Sequence, residues 1–448
     1  MKISLPLSPL PYLAIIALFY LGDSVQAAKE QDIDKLFETG ECPACNLQQV
    51  RLGGERLNGV NLEGANLLEA DLNDANLQDA RLSGANLVEA NLRSAKLISA
   101  NLFRANLQNA DLQESDLKEA NLKSANLRRT NLSKAKLEGA SLQDANLESA
   151  NLQQADLNHA QLTNAALERA NLQEANLESA SLKGTNLKGA NLKGAKLFRT
   201  DLRATQFNSQ TILDSKWLLV WELVNQGVEG RDLTQADLAG ANLEGLNLAG
   251  ANLAGANLAE AYLFIVNLRG ANLTGTTLTN TELRYADLSN ADLTNADLGN
   301  AELGNVNLNG ANLANANLRT AKINEETVLD PKWRLVWEIV NQGAEDRNLR
   351  GANLFNANLK GANFRRAKLS GASLFQADLS GANLEGATLF EADLSEANLK
   401  GANLERANLE DANLKGASLE GANLNQANLC GAIMPDGTEH TCQPTPKQ

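Results

Sequence analysis

The sequence predicts a solenoid that is interrupted by two short α-helices, and three observations support this fold class. Leucine returns at every fifth position over most of the chain. The residue two positions before each of these leucines is nearly always alanine, and the residues after it are polar, charged or glycine. Two nearly identical tryptophan segments break the period, at 213–227 and 329–343. So biased a composition favours one repetitive architecture over several unlike domains.

The five-residue period excludes the two common secondary structures. The leucines run through 47–202, 233–318 and 349–429, where Phe364 is the one substitution. On an α-helix, a five-residue step would turn each leucine by about 140° and spread the leucines over the whole surface. In a straight strand, an odd period would place them on alternate faces. We therefore expect a chain that turns regularly and directs each alanine and leucine into a common interior, as in a solenoid.

The motif also resembles a known family. The segment NLEGANLLEADLNDANL at 61–77 resembles the A-N/D-L-x-x signature of pentapeptide-repeat proteins, and the resemblance covers 46–434. It implies an all-β solenoid, a right-handed quadrilateral β-helix with four pentapeptides per coil. The central leucine and the preceding small residue would lie inside. The asparagines between them are expected to hydrogen-bond backbone groups at the turns.

Each tryptophan segment is predicted to form a helix of about three turns along one side of the rod. Asp214 and Asp330 are the predicted N-caps, and Gly227 and Gly343 the terminators. Before each helix, aliphatic or aromatic residues continue the five-residue step in place of leucine: Phe207, Ile212, Ile323 and Val328.

The tryptophans lie four residues apart, on one helical face: Trp217 with Trp221, and Trp333 with Trp337. They can pack against the solenoid where a coil is interrupted, or they can form a docking surface, because tryptophan is frequent in interaction hot spots. Burial of the indoles gives so short a helix its main reason to fold, which favours the architectural interpretation.

The pattern divides the chain into eight segments. They are a signal peptide at 1–27, an N-terminal cap at 28–46, repeat blocks at 47–213, 233–329 and 349–434, helical inserts at 214–232 and 330–348, and a C-terminal cap or tail at 435–448.

The N-terminus predicts export. A charged start at Lys2 is followed by an apolar stretch and by small residues, so we expect cleavage near Ala27 or Ala28. An uncleaved membrane anchor is the alternative, but three prolines disfavour a continuous helix: Pro6, Pro9 and Pro11. We expect a periplasmic, thylakoid-lumen or extracellular protein with no membrane contact beyond the signal segment. ECPACNL, WRLVWEIVNQG and IMPDG resemble arrangements in cyanobacterial members of the family, which also suggests the periplasm or thylakoid lumen.

Four cysteines lie at the two ends of the chain: Cys42, Cys45, Cys430 and Cys442. In an oxidising compartment two local disulfides are expected, with a pairing inferred only from proximity in sequence. A redox Cys-x-x-Cys motif would need a βαβ context. A four-cysteine metal site would need the two ends of the rod to meet, so no metal is expected.

The sequence predicts a non-enzymatic structural or interaction scaffold without cofactors. Its only histidines, His159 and His440, belong to no plausible catalytic triad, and no phosphate-binding loop follows a strand. The net charge of −14 disfavours nucleic-acid binding through a basic surface. Protein partners are expected, and open coil ends would also allow two copies to associate. Four outward apolar residues are weak candidate contacts: Phe264, Ile265, Phe355 and Phe375.

Two alternative functions stay open. Some family members resemble duplex DNA in shape and charge and bind DNA gyrase, and an acidic rod fits this role superficially. Export would remove that target, and many lysines and arginines interrupt the acidic surface. The second alternative is a thiol or redox protein that uses Cys42 and Cys45. Here a double serine variant would lose thiol-exchange activity and not only stability.

Overall fold

The computed structural model describes residues 28–228 and 232–441. The predicted signal peptide at 1–27 and Cys442 lie outside the described residues. The helices are α1 (Glu30–Thr39), α2 (Ser215–Gln226) and α3 (Pro331–Gln342). Single parallel bridges connect successive coils over 41–212, 237–328 and 348–433. Among the helices of the described chain, none combines the length and the hydropathy that crossing a bilayer requires.

The coils have a constant period of four pentapeptides. Asn46 pairs with Asn66, and Asn66 with Asn86, so each residue lies beside the residue 20 positions further on. Leu47 N donates to Asn66 O over 2.7 Å, and Asn66 N donates to Cys45 O over 2.8 Å. The next coil therefore satisfies the backbone groups that point along the axis. The structure is the quadrilateral β-helix that the sequence predicts.

A tight turn closes each corner of a coil. Ala65 N donates to Leu62 O over 3.0 Å, and the turn residue Gly64 has a φ of 62°. Non-glycine residues adopt the same conformation at most corners, as Glu69 does with a φ of 54°. The asparagine before the leucine supports the turn, because Glu63 N donates to Asn61 Oδ1 over 3.2 Å.

The core is a narrow column of leucine and alanine. The leucines of the five-residue period from Leu62 to Leu192 all have 0 % exposed surface. The alanines two positions earlier are buried beside them. Because every pentapeptide contributes one large and one small aliphatic side chain, the coil has a nearly constant cross-section, and interior packing is dense.

Asparagine side chains form a second ladder, outside the core. Asn131 Nδ2 donates to Asp111 Oδ1 over 2.9 Å, and Asn151 Nδ2 donates to Asn131 Oδ1 over 3.2 Å. The ladder continues through Asn171 to Asn191. Each amide donates to the previous coil and accepts at its own turn, which explains why asparagine and aspartate share this position.

The N-terminal coil starts one pentapeptide before the predicted position at Leu47. Cys42 occupies a leucine position and Cys45 an alanine position, with 0 % and 4 % exposed surface. Their sulfurs form a disulfide inside this first coil. Helix α1 lies against the coil through Leu36, which is buried.

The predicted step of five fails just before each insert. Ile212 and Val328 are exposed by 52 % and 49 %, because each occupies the outward bridge position, 21 residues after its partner. One additional residue has entered the preceding turn, so Leu213 and Leu329 pack against the core instead. The prediction that Ile212 and Val328 point inward is therefore wrong.

The C-terminal residues fold back on the last coil. Gly437 N donates to Met434 O over 2.8 Å, which closes a turn at the predicted Pro-Asp-Gly sequence. Glu439 then pairs with Ile433 in an antiparallel bridge. Cys430 is disulfide-bonded, but its predicted partner Cys442 lies outside the described residues.

Candidate interaction surfaces

Each helical insert lies between two coils and forms a joint, meaning the helix together with the coil on either side. The helices begin and end as predicted, although the side chains of Asp214 and Asp330 make no capping hydrogen bond. At the first joint, Arg199 N donates to Gly240 O over 2.7 Å and links the two coils directly. At the second joint, Asn315 N donates to Asn356 O over 2.8 Å.

One tryptophan of each helix replaces a donor of the backbone ladder. Trp221 Nε1 donates to Thr205 O over 3.1 Å, and Trp337 Nε1 donates to Ala321 O over 2.7 Å. In a regular coil this carbonyl accepts a backbone N–H of the next coil, as Ala180 O does from Asp201 N. The indoles therefore satisfy carbonyls that the interruption would leave unpaired.

An asparagine further along each helix makes a matching contact. Asn225 Nδ2 donates to Leu202 O, and Asn341 Nδ2 to Leu318 O, each over 3.0 Å. Because these carbonyls belong to the last coil before the joint, the helix lies across the end of that coil, and not along the side of the rod as the sequence predicts.

The other tryptophan contacts are also largely internal. Trp333 is only 6 % exposed, and Trp221 stacks on Phe207 with ring centroids 4.9 Å apart. Trp217 and Trp337 are partly buried against the core. These positions favour the architectural interpretation of the tryptophans over the docking interpretation.

The lysine at the second position of each helix has different neighbours at the two joints. Lys216 Nζ lies 5.1 Å from the ring centroid of Trp217 and forms an ion pair with Asp237 Oδ2 over 3.1 Å. Lys332 lies 4.1 Å from the Trp333 ring centroid and 4.2 Å from that of Phe355. Burial lowers the pKa of Lys332, whereas the adjacent ring faces attract its charged form.

Phe355 and Phe375 form a stacked pair next to the second joint. Their ring centroids are 6.3 Å apart and their planes differ by 12°. Phe355 is 39 % exposed. This pair is named the phenylalanine column, and it lies on consecutive coils, as the spacing of 20 residues predicts.

A larger apolar surface lies on two consecutive coils of the second block and is named the tyrosine patch: Tyr262, Phe264, Ile265 and Tyr285. Tyr262 and Phe264 are nearly parallel, with centroids 6.0 Å apart, and Tyr285 meets Phe264 edge-on at 5.5 Å. Ile265 and Tyr285 are exposed by 50 % and 54 %. Ile265 lies over Gly245, where a Cβ would be 3.8 Å from Ile265 Cδ1.

Charged side chains surround the tyrosine patch as ion pairs. Arg284 Nε donates to Glu282 Oε1 over 2.6 Å, and Arg203 Nη2 donates to Glu244 Oε2 over 2.9 Å. Burial, together with the carboxylates of Glu244 and Glu282, raises the pKa of Tyr262. A shallow groove of about 560 Å³ lies nearby and is lined by Arg199, Asn280, Glu282, Asn300, Glu302 and Lys322. Glu282 connects it to the patch, because Glu282 lies directly beside Tyr262 on the next coil.

Sequence reasoning singled out Phe264 and Ile265 but missed the two tyrosines. Tyr285 lies 20 residues after Ile265, so the coil period itself places the two side chains on one face. Tyr262 immediately precedes a central leucine and takes the place of the usual asparagine. A search for apolar side chains of any kind at a spacing of 20 would have found Ile265 with Tyr285.

Two other kinds of site remain to be considered, a reactive disulfide and a metal site. The disulfide between Cys42 and Cys45 is buried in the first coil, which restricts the access that thiol exchange requires. Within 28–228 and 232–441, no group of three or more His, Cys, Asp or Glu residues is arranged to hold a metal ion.

The repeat pattern of the whole chain identifies its family. The description "Pentapeptide repeats" matches residues 44–208, 232–264, 266–324 and 348–435. The chain belongs to the pentapeptide-repeat family. Most of the coils described above fall within these matches, and the helices α2 and α3 fall between them. A comparison with curated proteins finds no significant match.

Several solved structures of pentapeptide-repeat proteins are similar to the chain. HetL of the cyanobacterium Nostoc, which is involved in heterocyst differentiation regulation, is 26% identical over 91% of this chain and 98% of its own, with a TM-score of 0.20. A protein of the Arabidopsis thaliana thylakoid lumen is 36% identical over 22% and 68%, with a TM-score of 0.16. Rfr23 of Cyanothece is 26% identical over 41% and 98%, with a TM-score of 0.17.

Proposed function

We propose that this pentapeptide-repeat protein is an exported, non-enzymatic scaffold that holds partner proteins at fixed positions and angles. The observation that carries the proposal is the repetition of the joint contacts. Trp221 and Trp337 bond equivalent carbonyls 116 residues apart, as do Asn225 and Asn341. Two joints built from the same contacts keep each block in a fixed register with the next, which is a property that a spacer needs.

Export is supported by the apolar N-terminal sequence and by the disulfide of the first coil. Disulfides persist in oxidising compartments and are rare in the cytosol. Cys42 and Cys45 occupy the leucine and alanine positions of the first coil. Their disulfide therefore forms part of the hydrophobic core at its N-terminal end. The periplasm, the thylakoid lumen and the extracellular space would all provide this condition.

The DNA-mimic alternative has weaker support. Lys118 pairs with Glu138 over 2.7 Å, and Lys322 pairs with Glu302 over 2.5 Å, each with a residue one coil away. Such pairs place cations in the same columns as carboxylates and interrupt any continuous line of negative charge. Inhibition of DNA gyrase by the purified protein would favour the alternative.

Insertions of different length in the first block test the scaffold. Duplication of residues 130–149 adds one complete coil of 20 residues, which moves later surfaces by about 4.8 Å without rotation. Duplication of residues 140–149 keeps the repeat but turns all later surfaces by half a coil. Partners that contact both sides of the insertion should remain bound after the first change and be lost after the second.

The measurement is quantitative cross-linking and co-purification from the native host with tagged, full-length protein. Circular dichroism of both variants controls for folding, and the mass of the N-terminal peptide reports cleavage near Ala27. Identical partner sets in both variants, or a cytoplasmic protein with an intact N-terminus, would contradict the proposal.

A further inference from the structure

The tyrosine patch concentrates aromatic side chains that are scarce elsewhere in the chain. The protein has four tyrosines, and the two beyond the predicted signal peptide, Tyr262 and Tyr285, both lie here. Phe264 contacts both rings, with centroid distances of 6.0 and 5.5 Å. Aromatic residues are otherwise infrequent in the outward positions of the repeat, so their accumulation on two consecutive coils requires a local explanation.

The size of the patch argues against a protein partner as its ligand. It occupies two coils, so its height along the axis is about 10 Å. A standard protein interface covers about 800 Å² on each partner and has an apolar core inside a polar rim. Here charged residues border the rings immediately, because Glu282 and Arg284 precede Tyr285 on the same coil. The apolar area suits a ligand of a few rings.

The charge of the surroundings selects an uncharged ligand. Glu244, Glu260, Glu282 and Glu302 lie in the columns that form or border the patch. Arg199, Arg203, Arg284 and Lys322 lie among them, so the charges balance and attract neither an anionic nor a cationic ligand. Three of these carboxylates pair with Arg203, Arg284 and Lys322. Such pairs retain free lone pairs and N–H groups, so the rim can both donate and accept hydrogen bonds.

We propose that the tyrosine patch and its groove bind a neutral oligosaccharide segment. A sugar ring has an apolar C–H face, which would lie on the exposed side of Tyr285 and Ile265. Hydroxyl groups at its edge would bond Glu282 and Arg284, and the next sugar units would continue along the groove to the amides of Asn280 and Asn300. The groove of about 560 Å³ has the volume of a small-ligand site but is shallow, which suits a segment of a polymer.

Affinity electrophoresis of the full-length protein tests the proposal. Native gels would contain xyloglucan, glucomannan, hydroxyethylcellulose or soluble starch as neutral polysaccharides, and alginate as an acidic one. We expect at least one neutral polysaccharide to retard the protein and alginate to leave its mobility unchanged. Tyr285→Ala should weaken the retardation at least fivefold. Because Tyr285 is 54 % exposed, this change should leave the fold intact.

Phe375→Ala is the matched control, since it removes an aromatic ring of the phenylalanine column. Phe375 lies in the third repeat block, whereas the tyrosine patch lies in the second. The substitution should leave the retardation unchanged. Free mobility in every neutral polysaccharide, equal retardation of Tyr285→Ala and the wild type, or loss of a co-purifying protein in place of a polysaccharide would overturn the inference. The insertion variants of the scaffold test keep the patch intact, so failure of one proposal is distinguishable from failure of the other.

Discussion

At the scale of single residues, the core tolerates a change of volume when its neighbour compensates. Phe364 is the only aromatic residue among the leucine positions of 47–202, 233–318 and 349–429, yet its exposed surface is 0 %. Ala344 N donates to Asn363 O, which places Ala344 one coil before Phe364 on the same face. Ala344 is itself buried in a leucine position. The small side chain provides the space that the large one fills.

This compensation predicts a non-additive pair of substitutions. Ala344→Leu should overpack the site and cost about 1–3 kcal/mol of unfolding free energy. Phe364→Leu should leave a cavity and also destabilise the protein. The double variant restores a regular leucine pair, so its cost should be smaller than the sum of the single costs by about 0.5–3 kcal/mol. Urea denaturation followed by circular dichroism measures the three values.

A distant pair is the control for this cycle. Leu404 lies on the same face, 60 residues after Ala344, and is fully buried. Ala344→Leu combined with Leu404→Val should give additive costs, because three coils separate the two sites. Additivity of the Ala344 and Phe364 variants would show that the two side chains do not share their space.

At the scale of elements, the helices could be predicted and the joints could not. The helix bounds follow from Asp and Gly at the ends of each tryptophan segment, and they agree with the structure. The additional residue before each helix is hidden in the sequence, because Ile212 and Val328 are aliphatic residues that continue the five-residue step. The repeat specifies neighbours within a block, whereas the direct contact of Arg199 with Gly240 depends on the helix between them.

Loss of one indole donor should weaken a joint. Trp221→Phe keeps an aromatic ring against Phe207 but leaves Thr205 O without the hydrogen bond of 3.1 Å. An unsatisfied buried acceptor costs about 1–3 kcal/mol. Amide hydrogen exchange should therefore accelerate in the coils that flank α2 and stay unchanged in the middle of the first block, because coils interact only with their neighbours.

Trp217→Phe provides the comparison, since no hydrogen bond of its indole occurs among the described residues. It removes the same N–H group from the same helix face. A similar acceleration of exchange in the Trp217 and Trp221 variants would mean that ring volume, and not the replaced ladder donor, stabilises the joint.

At the scale of the whole molecule, the chain contains a larger repeat made of one block and one joint. Trp221 and Trp337 are 116 residues apart, and so are the direct contacts of Arg199 and Asn315. The two joints differ in which of two contacting positions holds the larger residue. A Cβ at Gly240 would overlap the ring of Phe198, whereas the equivalent positions of the second joint hold Asn356 and Ala314. Each joint therefore combines a large residue with a small one.

This arrangement predicts that one block with its joint can be removed, provided that a large residue still meets a small one at the joint that is left. Deletion of residues 233–348 removes 116 residues and brings the third block onto the first joint. Asn356 then takes the place of Gly240 and meets Phe198, so the shortened protein should unfold at a lower temperature than the full chain. Adding Phe198→Ala reproduces the pair of the second joint and should recover most of the loss. Thermal unfolding by circular dichroism measures all three proteins.

A deletion of residues 233–343 separates this steric effect from simple shortening. It keeps the five-residue repeat but retains one additional pentapeptide, so the coil after the joint is turned by one face. Gly351 then takes the place of Gly240 and Asn356 no longer meets Phe198. Because a second glycine lies opposite the Phe198 ring, no clash arises and Phe198→Ala should recover nothing. Equal recovery of the unfolding temperature in both deletions would mean that the joint is flexible and does not hold the two blocks in a fixed register. If recovery is confined to the longer deletion, the residue opposite Phe198 decides which register of the third block the first joint accepts.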